Sequence, residues 1–354
     1  MTVTSQQCIL VAPLDWGLGH ATRCAVLIDR WLEEGHEVIL ASNGRSAAWL
    51  QQRYPQLEVL NDIPDYAVTY PSAGSMAVHF AKQLPRLIRV VRDEHRWLER
   101  IVTERNIDSV YNDNRYGLHH QRVPCTFITH QLYVRVPWWS KALVHGICNR
   151  YLKRFQSIWV PDYEKGNTLS GALSHGGSWD DRVQYIGPLS RFAVPERSRR
   201  AAPVAGSSVA ERSRGLARPP GLVALISGPE PSRTAFEHEF RRLLVETGHT
   251  ALLILGRPDE EIHEVHGNLT IINHLPDEQL ADALTQAELV ICRSGYSTIM
   301  DLEALDVRAL LVPTPGQTEQ EYLAEYHAKL GRHDMISQQE LSKVVFDRYL
   351  HKTP

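Results

Sequence analysis

A chain of 354 residues exceeds what one hydrophobic core usually serves and predicts two domains. Its apolar content of 43% is ordinary for a globular protein, and a formal net charge of −3 excludes a molecule-wide field for polyanions, so no nucleic-acid partner is expected. The five cysteines, Cys8, Cys24, Cys125, Cys148 and Cys292, are scattered without a C-x-x-C pair, which argues against a disulfide frame or a zinc site and fits a reducing cytoplasm.

The chain starts "MTVTSQQ", with no basic segment, and the apolar run that follows is too short for the core of a secretion signal. No stretch approaches the roughly 20 apolar residues of a membrane span. A cytoplasmic location is therefore expected. Cys8–Pro13 reads as a buried strand that leads into "DWGLGHATR". Gly17 and Gly19 permit a sharp turn there, and an amphipathic helix over Ala21–Glu34 offers its free N–H groups to whatever lies above. A dinucleotide fingerprint wants a small residue where Thr22 stands and an acid closing the second strand, where Ser42 and Asn43 stand. No nicotinamide or flavin cofactor is expected. His20 at a helix N-terminus is disfavoured as an imidazolium, which makes it a candidate base. It equally suits capping or packing the turn.

Further buried strands are predicted at Glu37–Ala41, Leu57–Leu60, Ser109–Tyr111, Cys125–Thr129, Ser157–Val160 and Val183–Ile186, with a long helix over Met76–Thr103. Runs that barely alternate suit a parallel sheet covered on both faces. The polar cluster Asn112, Asp113, Asn114 and Arg115 follows one of these strands and so faces the ligand edge of such a sheet. Asp113 is a second candidate base; a capped turn is the alternative. His119 and His120 lack metal spacing and read as surface or a helix start. His130 and Gln131 close "CTFIT" on the same edge. "VPWWSKALVHGICNRYLKRF" mixes two tryptophans with Lys141, Arg150, Lys153 and Arg154. An interfacial membrane helix needs that mixture, and an ordinary helix with a solvated basic face also has it. "AKQLPRLIRVVRDEHRWLER" adds a second basic helix.

Residues 193–220, rich in Ala, Arg, Ser and Pro, read as a flexible linker or exposed loop between an N-terminal domain, 1–192, and a C-terminal domain, 221–354. The last helix is a candidate to pack back on the first domain. In the second domain, strands are predicted at Leu222–Ser227, Ala251–Leu255, Leu269–Ile272, Leu289–Cys292 and Ala309–Val312, and helices at Arg233–Glu246 and Asp277–Ala287. Two doubly wound α/β sheets result. Arg293-Ser294-Gly295 ends a strand and opens a helix at about Ser297, a turn that favours phosphate. Asp301, a turn further on, can accept from ribose hydroxyls or merely face the helix dipole. Gln317 and Gln320 suit sugar hydroxyls or a solvated helix start.

"CRSGYSTIMDLEAL" and "VPTPGQTEQEYLA" together resemble the donor-binding signature of glycosyltransferase family 28. That family includes the N-acetylglucosaminyltransferase that completes the lipid-linked peptidoglycan precursor and the monogalactosyldiacylglycerol synthases. The resemblance extends over roughly Ile9 to Ala328 and implies the GT-B arrangement, two Rossmann-like domains facing a cleft. It implies an inverting hexosyltransferase that moves a sugar from a UDP-sugar to a lipid-linked or cell-envelope glycan acceptor, without a metal or cofactor. The donor side would be Ser227, Gly228, Arg293, Ser294, Gly295, Asp301, Gln317 and Gln320, with helix N-termini and Arg293 offsetting diphosphate charge. Pro229 and Pro231 remove N–H donors from the diphosphate loop, for which Ser232 and Arg233 are candidate replacements. Glu321 stands where the family often has a second Gln. The acceptor side would be Gly17, Gly19, Arg23, Asn114, Arg115 and His130. Lipid acceptors would bring peripheral contact with the inner membrane face. "GHATRC" also resembles the turn of UDP-sugar hydrolases of pseudaminic acid synthesis, so a hydrolase or epimerase on the same fold is the alternative.

Overall fold

The apolar runs form two sheets in a computed structural model that describes residues 6–67, 76–136, 138–177, 179–192, 220–228, 230–257 and 260–350. The first sheet contains β1 (Cys8–Pro13), β2 (Glu37–Ala41), β3 (Val59–Leu60), β4 (Ser109–Asp113), β5 (Cys125–Ile128), β6 (Ser157–Val160) and β7 (Val183–Tyr185). Its order is β3-β2-β1-β4-β5-β6-β7, parallel throughout. The second contains β8 (Leu222–Leu225), β9 (Ala251–Ile254), β10 (His263–His266), β11 (Leu269–Ile272), β12 (Leu289–Cys292), β13 (Ala309–Leu311) and β14 (Asp334–Met335). Its order is β10-β11-β9-β8-β12-β13-β14, with only β10 antiparallel. The two edge strands β10 and β14 were not expected: "HEVH" is polar and largely exposed, and β14 is two residues long, so neither carries an apolar signal.

The helices in chain order are α1 (Leu18–Glu33), α2 (Gly44–Arg53), α3 (Met76–Glu104), α4 (Trp138–Leu152), α5 (Ser232–Thr247), α6 (Asp277–Gln286), α7 (Tyr296–Leu305), α8 (Thr318–Lys329) and α9 (Lys343–Leu350). α1 starts three residues earlier than its pattern predicts and buries Ala21, Cys24, Ala25, Ile28 and Trp31 at helical spacing. α9, expected as a candidate to pack back on the first domain, places Phe346 and Leu350 in the core of the second sheet and packs on α5. The predicted linker falls almost wholly outside the described residues. No described helix is long and apolar enough to cross a membrane.

Both sheets reverse their winding between neighbouring strands, β1 and β4 in one, β8 and β12 in the other. Loops leave such a switch point in opposite directions and open a crevice at the strands' C-terminal ends. The two crevices face each other. One apolar cluster runs between the domains: Leu27, Ile28 and Trp49 of the first join Tyr296, Ile299, Met300 and Leu323 of the second. The domains are therefore welded by a dry contact beside the cleft rather than by polar groups alone.

His119 and His120 are buried, against the expectation of a surface position. His120 Nδ1 accepts from the Arg122 and Val123 amides, and His119 stacks on His95. Burial pushes His119, His327 and His333 down to about 4. Each must take up a proton on unfolding below its ordinary value of 6.5, so folding stability falls as pH drops from 6.5 towards 4. The expected slope is up to roughly 1.4 kcal/mol per pH unit for each histidine. Urea unfolding at a series of pH values measures it. A flat profile over that interval would remove the buried neutral histidines.

Candidate functional site

The site grows from the turn after β1. Gly17 has φ +113°, a left-handed value that a side chain would strain, and it precedes the first turn of α1. Gly19 is needed for a different reason. A Cβ there would fall 2.7 Å from Ser297 Oγ, and that hydroxyl donates to Gly19 O at 2.9 Å. Ser297 lies in the first turn of α7. The N-termini of α1 and α7 therefore meet across the cleft, one from each switch point.

His20 stands in that first turn, half-buried. Its Nδ1 is 3.1 Å from Asp113 Oδ1 at the end of β4 and 2.9 Å from the Arg23 guanidinium. Asp113 is fully buried and held by both forks of Arg23. Burial favours its neutral form, but Arg23 and His20 outweigh that and hold the carboxyl well below the usual carboxylate range. Asp113 is thus held as a carboxylate between Arg23 and His20, an arrangement that suits it to orient the imidazole. Burial, reinforced by the Arg23 cation, lowers His20 and keeps the ring neutral, while Asp113 opposes the shift. Asp113 can only accept and Arg23 can only donate, so their contacts at Nδ1 are alternatives. With Nδ1–H given to Asp113, the Nε2 lone pair is left for a substrate proton.

The cluster continues into the second domain. Arg23 also donates to His130 Nδ1 at 3.2 Å, and His130 Nε2 meets Glu319 Oε1 at 2.7 Å, on the first turn of α8. The His130 ring stacks on Tyr296 at 4.2 Å and 4°. Burial disfavours the Glu319 charge, yet His130, His20 and Arg23 together hold its carboxyl below the ordinary value. Arg23 and His130, expected on the acceptor surface, are instead buried linkers of this network. Arg115 is buried too, tied to Pro13 O, Pro64 O and Glu94. Asn114 remains half-exposed at the edge, in the left-handed region at φ +60°. Glu319 and Tyr296 were missed; an acid at a helix start and an aromatic after Gly look ordinary in sequence.

On the donor side the structure separates the candidates. Arg293 is fully buried, donates to Val312 O, Pro313 O and Gln338, and lies 3.5 Å over the Phe236 ring. It braces the loop after β13, and its Nε is buried without a partner among the described residues. Ser294 Oγ donates to Gln320 O, and Gln320 Oε1 accepts from the Thr314 amide, so both shape the same loop. Glu321 accepts from the Gly316 amide. Arg233 is buried against Glu230, Glu237 and Leu255 O, with its Nη2 unpartnered among the described residues, and Pro229 lies outside the described residues. Of the donor-side candidates, Ser227, Gly228, Gly295, Asp301 and Gln317 stay half-exposed. Thr314 Oγ1 is buried without a partner and would lie 3.8 Å from a Cβ on Gly228. A buried unpaired hydroxyl beside a loop of this kind fits a ligand that supplies the missing bond. Asp301 accepts from Ser190 at 2.7 Å and has Arg191 at 3.5 Å. Burial raises its pKa. Among the described residues no three metal-ligating side chains converge.

Residues 242–352 match the glycosyltransferase family 28 C-terminal domain. An uncharacterized glycosyltransferase of Methanosarcina mazei is 25% identical over 340 residues, 89% of this chain and 82% of that one. The UDP-N-acetylglucosamine–N-acetylmuramyl-(pentapeptide) pyrophosphoryl-undecaprenol N-acetylglucosamine transferase of Pasteurella multocida is 37% identical over 82 residues, 23% of each chain. Among solved structures, the calicheamicin glycosyltransferase CalG4 superposes with a TM-score of 0.61 at 15% identity, covering 99% of this chain and 90% of that one. The fold is GT-B.

Proposed function

We propose that this chain, a GT-B protein with a C-terminal domain of the glycosyltransferase family 28 type, is a metal-independent inverting hexosyltransferase that uses a UDP-sugar donor. The observation that carries the reading is the meeting of the α1 and α7 N-termini through Ser297 and Gly19, with His20 beside it. Two helix N-termini converging on one point stabilise a diphosphate as it leaves, and they do so without a side-chain cation. His20 Nε2 takes the proton of an acceptor hydroxyl as that oxygen attacks the anomeric carbon from the face opposite the diphosphate. The C–O bond forms, the bond to the diphosphate breaks, and the configuration inverts. Asp113 orients the ring and stabilises the imidazolium.

Ser227, Gly228 and Thr314 form the wall against which the donor would lie, and Asp301 would exchange its Ser190 bond for the ribose hydroxyls. UDP-N-acetylglucosamine is the first donor to try, as it appears in the name of the Pasteurella relative. A lipid-linked acceptor agrees with α4, where Trp138, Trp139 and Leu143 are exposed at 87%, 65% and 67% beside Lys141. Such a helix end suits the plane of a membrane surface.

Nucleotide protection tests the donor assignment. UDP at about 100 times its Kd adds about 2.7 kcal/mol of folding stability. Thermal unfolding is expected to shift upward with UDP and not with a purine diphosphate. No shift with any uridine nucleotide would sink the assignment. Asp301→Asn is expected to raise the donor KM about tenfold, a loss of about 1.4 kcal/mol, with kcat little changed.

A further inference from the structure

A cavity of about 380 Å³ opens between α3, α4 and the connection from β4 to β5, and it shares no lining residue with the cleft. Its walls carry four guanidinium groups, Arg92, Arg96, Arg150 and Arg154, and the imidazoles of His95 and His119; no carboxylate lines it. Arg96 reaches Asp93 at 3.1 Å. Arg92 and Arg150 are exposed and have no ion-pair partner among the described residues. Arg154 is held by neutral groups: its Nη1 is 3.0 Å from His119 Nε2 and its guanidinium lies 5.0 Å from the Tyr151 ring. The His119 ring is fixed in turn by stacking on His95 at 4.3 Å, with His95 Nδ1 3.0 Å from His119 O. Arg154 is therefore positioned without being neutralised.

Three uncompensated guanidiniums around one concavity repel each other, and the fork of each matches the oxygens of a phosphate. The molecule as a whole is slightly acidic, so this charge is a local accumulation. The volume is at the lower end for small-molecule sites and exceeds a single inorganic ion. Exposed Trp138, Trp139 and Leu143 lie on the same helix as Arg150, with Leu143 about 10 Å upstream along its axis.

We propose that the α3–α4 pocket is a binding site for a phosphate-bearing anion, separate from the cleft, with Arg92, Arg150 and Arg154 as the phosphate ligands. A soluble phosphoester and a lipid headgroup offer the same chemistry, and two probes tell them apart. In the first, inorganic pyrophosphate is titrated while the ring-proton resonances of His95 and His119 are followed by NMR. These rings line the pocket, so they report on it and not on the cleft. In the second, the protein is floated with phosphatidylglycerol or phosphatidylcholine vesicles. The Arg92→Gln/Arg150→Gln protein is the comparison; both residues are exposed, and its thermal midpoint and protection by UDP are expected to match wild type. Saturable ring shifts with pyrophosphate, weakened at least tenfold in the variant, establish a phosphate site filled from solution. Flotation with phosphatidylglycerol alone, lost in the variant, establishes the headgroup as the source. Silent histidine rings together with equal flotation of both proteins, or equal pyrophosphate binding by both, would overturn the proposal.

Discussion

His20→Ala is expected to lower kcat by about 10²–10⁴-fold, roughly 3–5 kcal/mol of transition-state stabilisation, with little change in stability or in protection by UDP. The residue is half-buried in the first turn of α1 and its side chain is 16% exposed, so the loss is expected to be chemical rather than structural. The pH profile follows from the same environment. Burial and Arg23 lower His20, and a base must be neutral to act. The acid limb of kcat/KM is therefore expected below pH 6.5, the ordinary imidazole value, and is expected to vanish in the alanine protein. Full turnover by His20→Ala would remove the proposed mechanism.

Asp113→Ala is expected to destabilise the fold by about 3–5 kcal/mol, because it leaves the Arg23 guanidinium buried and unpaired. Arg23 is 2% exposed and Asp113 is 0% exposed, so water cannot replace the lost partner. Replacing both, as Arg23→Met/Asp113→Leu, is expected to recover most of that stability and none of the activity. Urea unfolding of the three proteins, beside kcat for each, separates the two roles. A single-variant loss under 1 kcal/mol would mean that the pair is not the linchpin it looks. The pH dependence has a definite sign. Asp113 is depressed in the folded state, so its contribution is complete above the ordinary carboxylate range and is lost only as pH falls through the lower folded value. Acid weakening that begins near pH 6 belongs to the buried histidines instead.

The two parallel sheets were legible because their strands are apolar on both faces, as in "CILVA" and "LVALI". The edge strand His263–His266 was not, because exposure leaves no hydrophobic signature. The glycine turn and His20 were legible as a strand-to-helix corner. Their partners were legible only as polar residues at strand ends. Which of these face a ligand and which brace the loops depends on contacts made between segments far apart in the chain. Arg293 illustrates the difference: next to Ser294-Gly295 it reads as a phosphate ligand, yet Phe236 and Gln338, 57 and 45 residues away, draw it into the core. Glu319 shows the converse. It reads as a dipole partner for α8 and becomes a bridge only when His130, 189 residues earlier, is brought opposite it.

Acceptor dependence of UDP release tests the central claim most directly. The purified protein is incubated with a panel of UDP-hexoses, with and without a lipid or glycan acceptor extract, and free UDP is followed with time. Release that needs the acceptor, disappears in His20→Ala and yields a product of inverted anomeric configuration is the predicted result. Release at the same rate without any acceptor would contradict it and assign His20 to the activation of water.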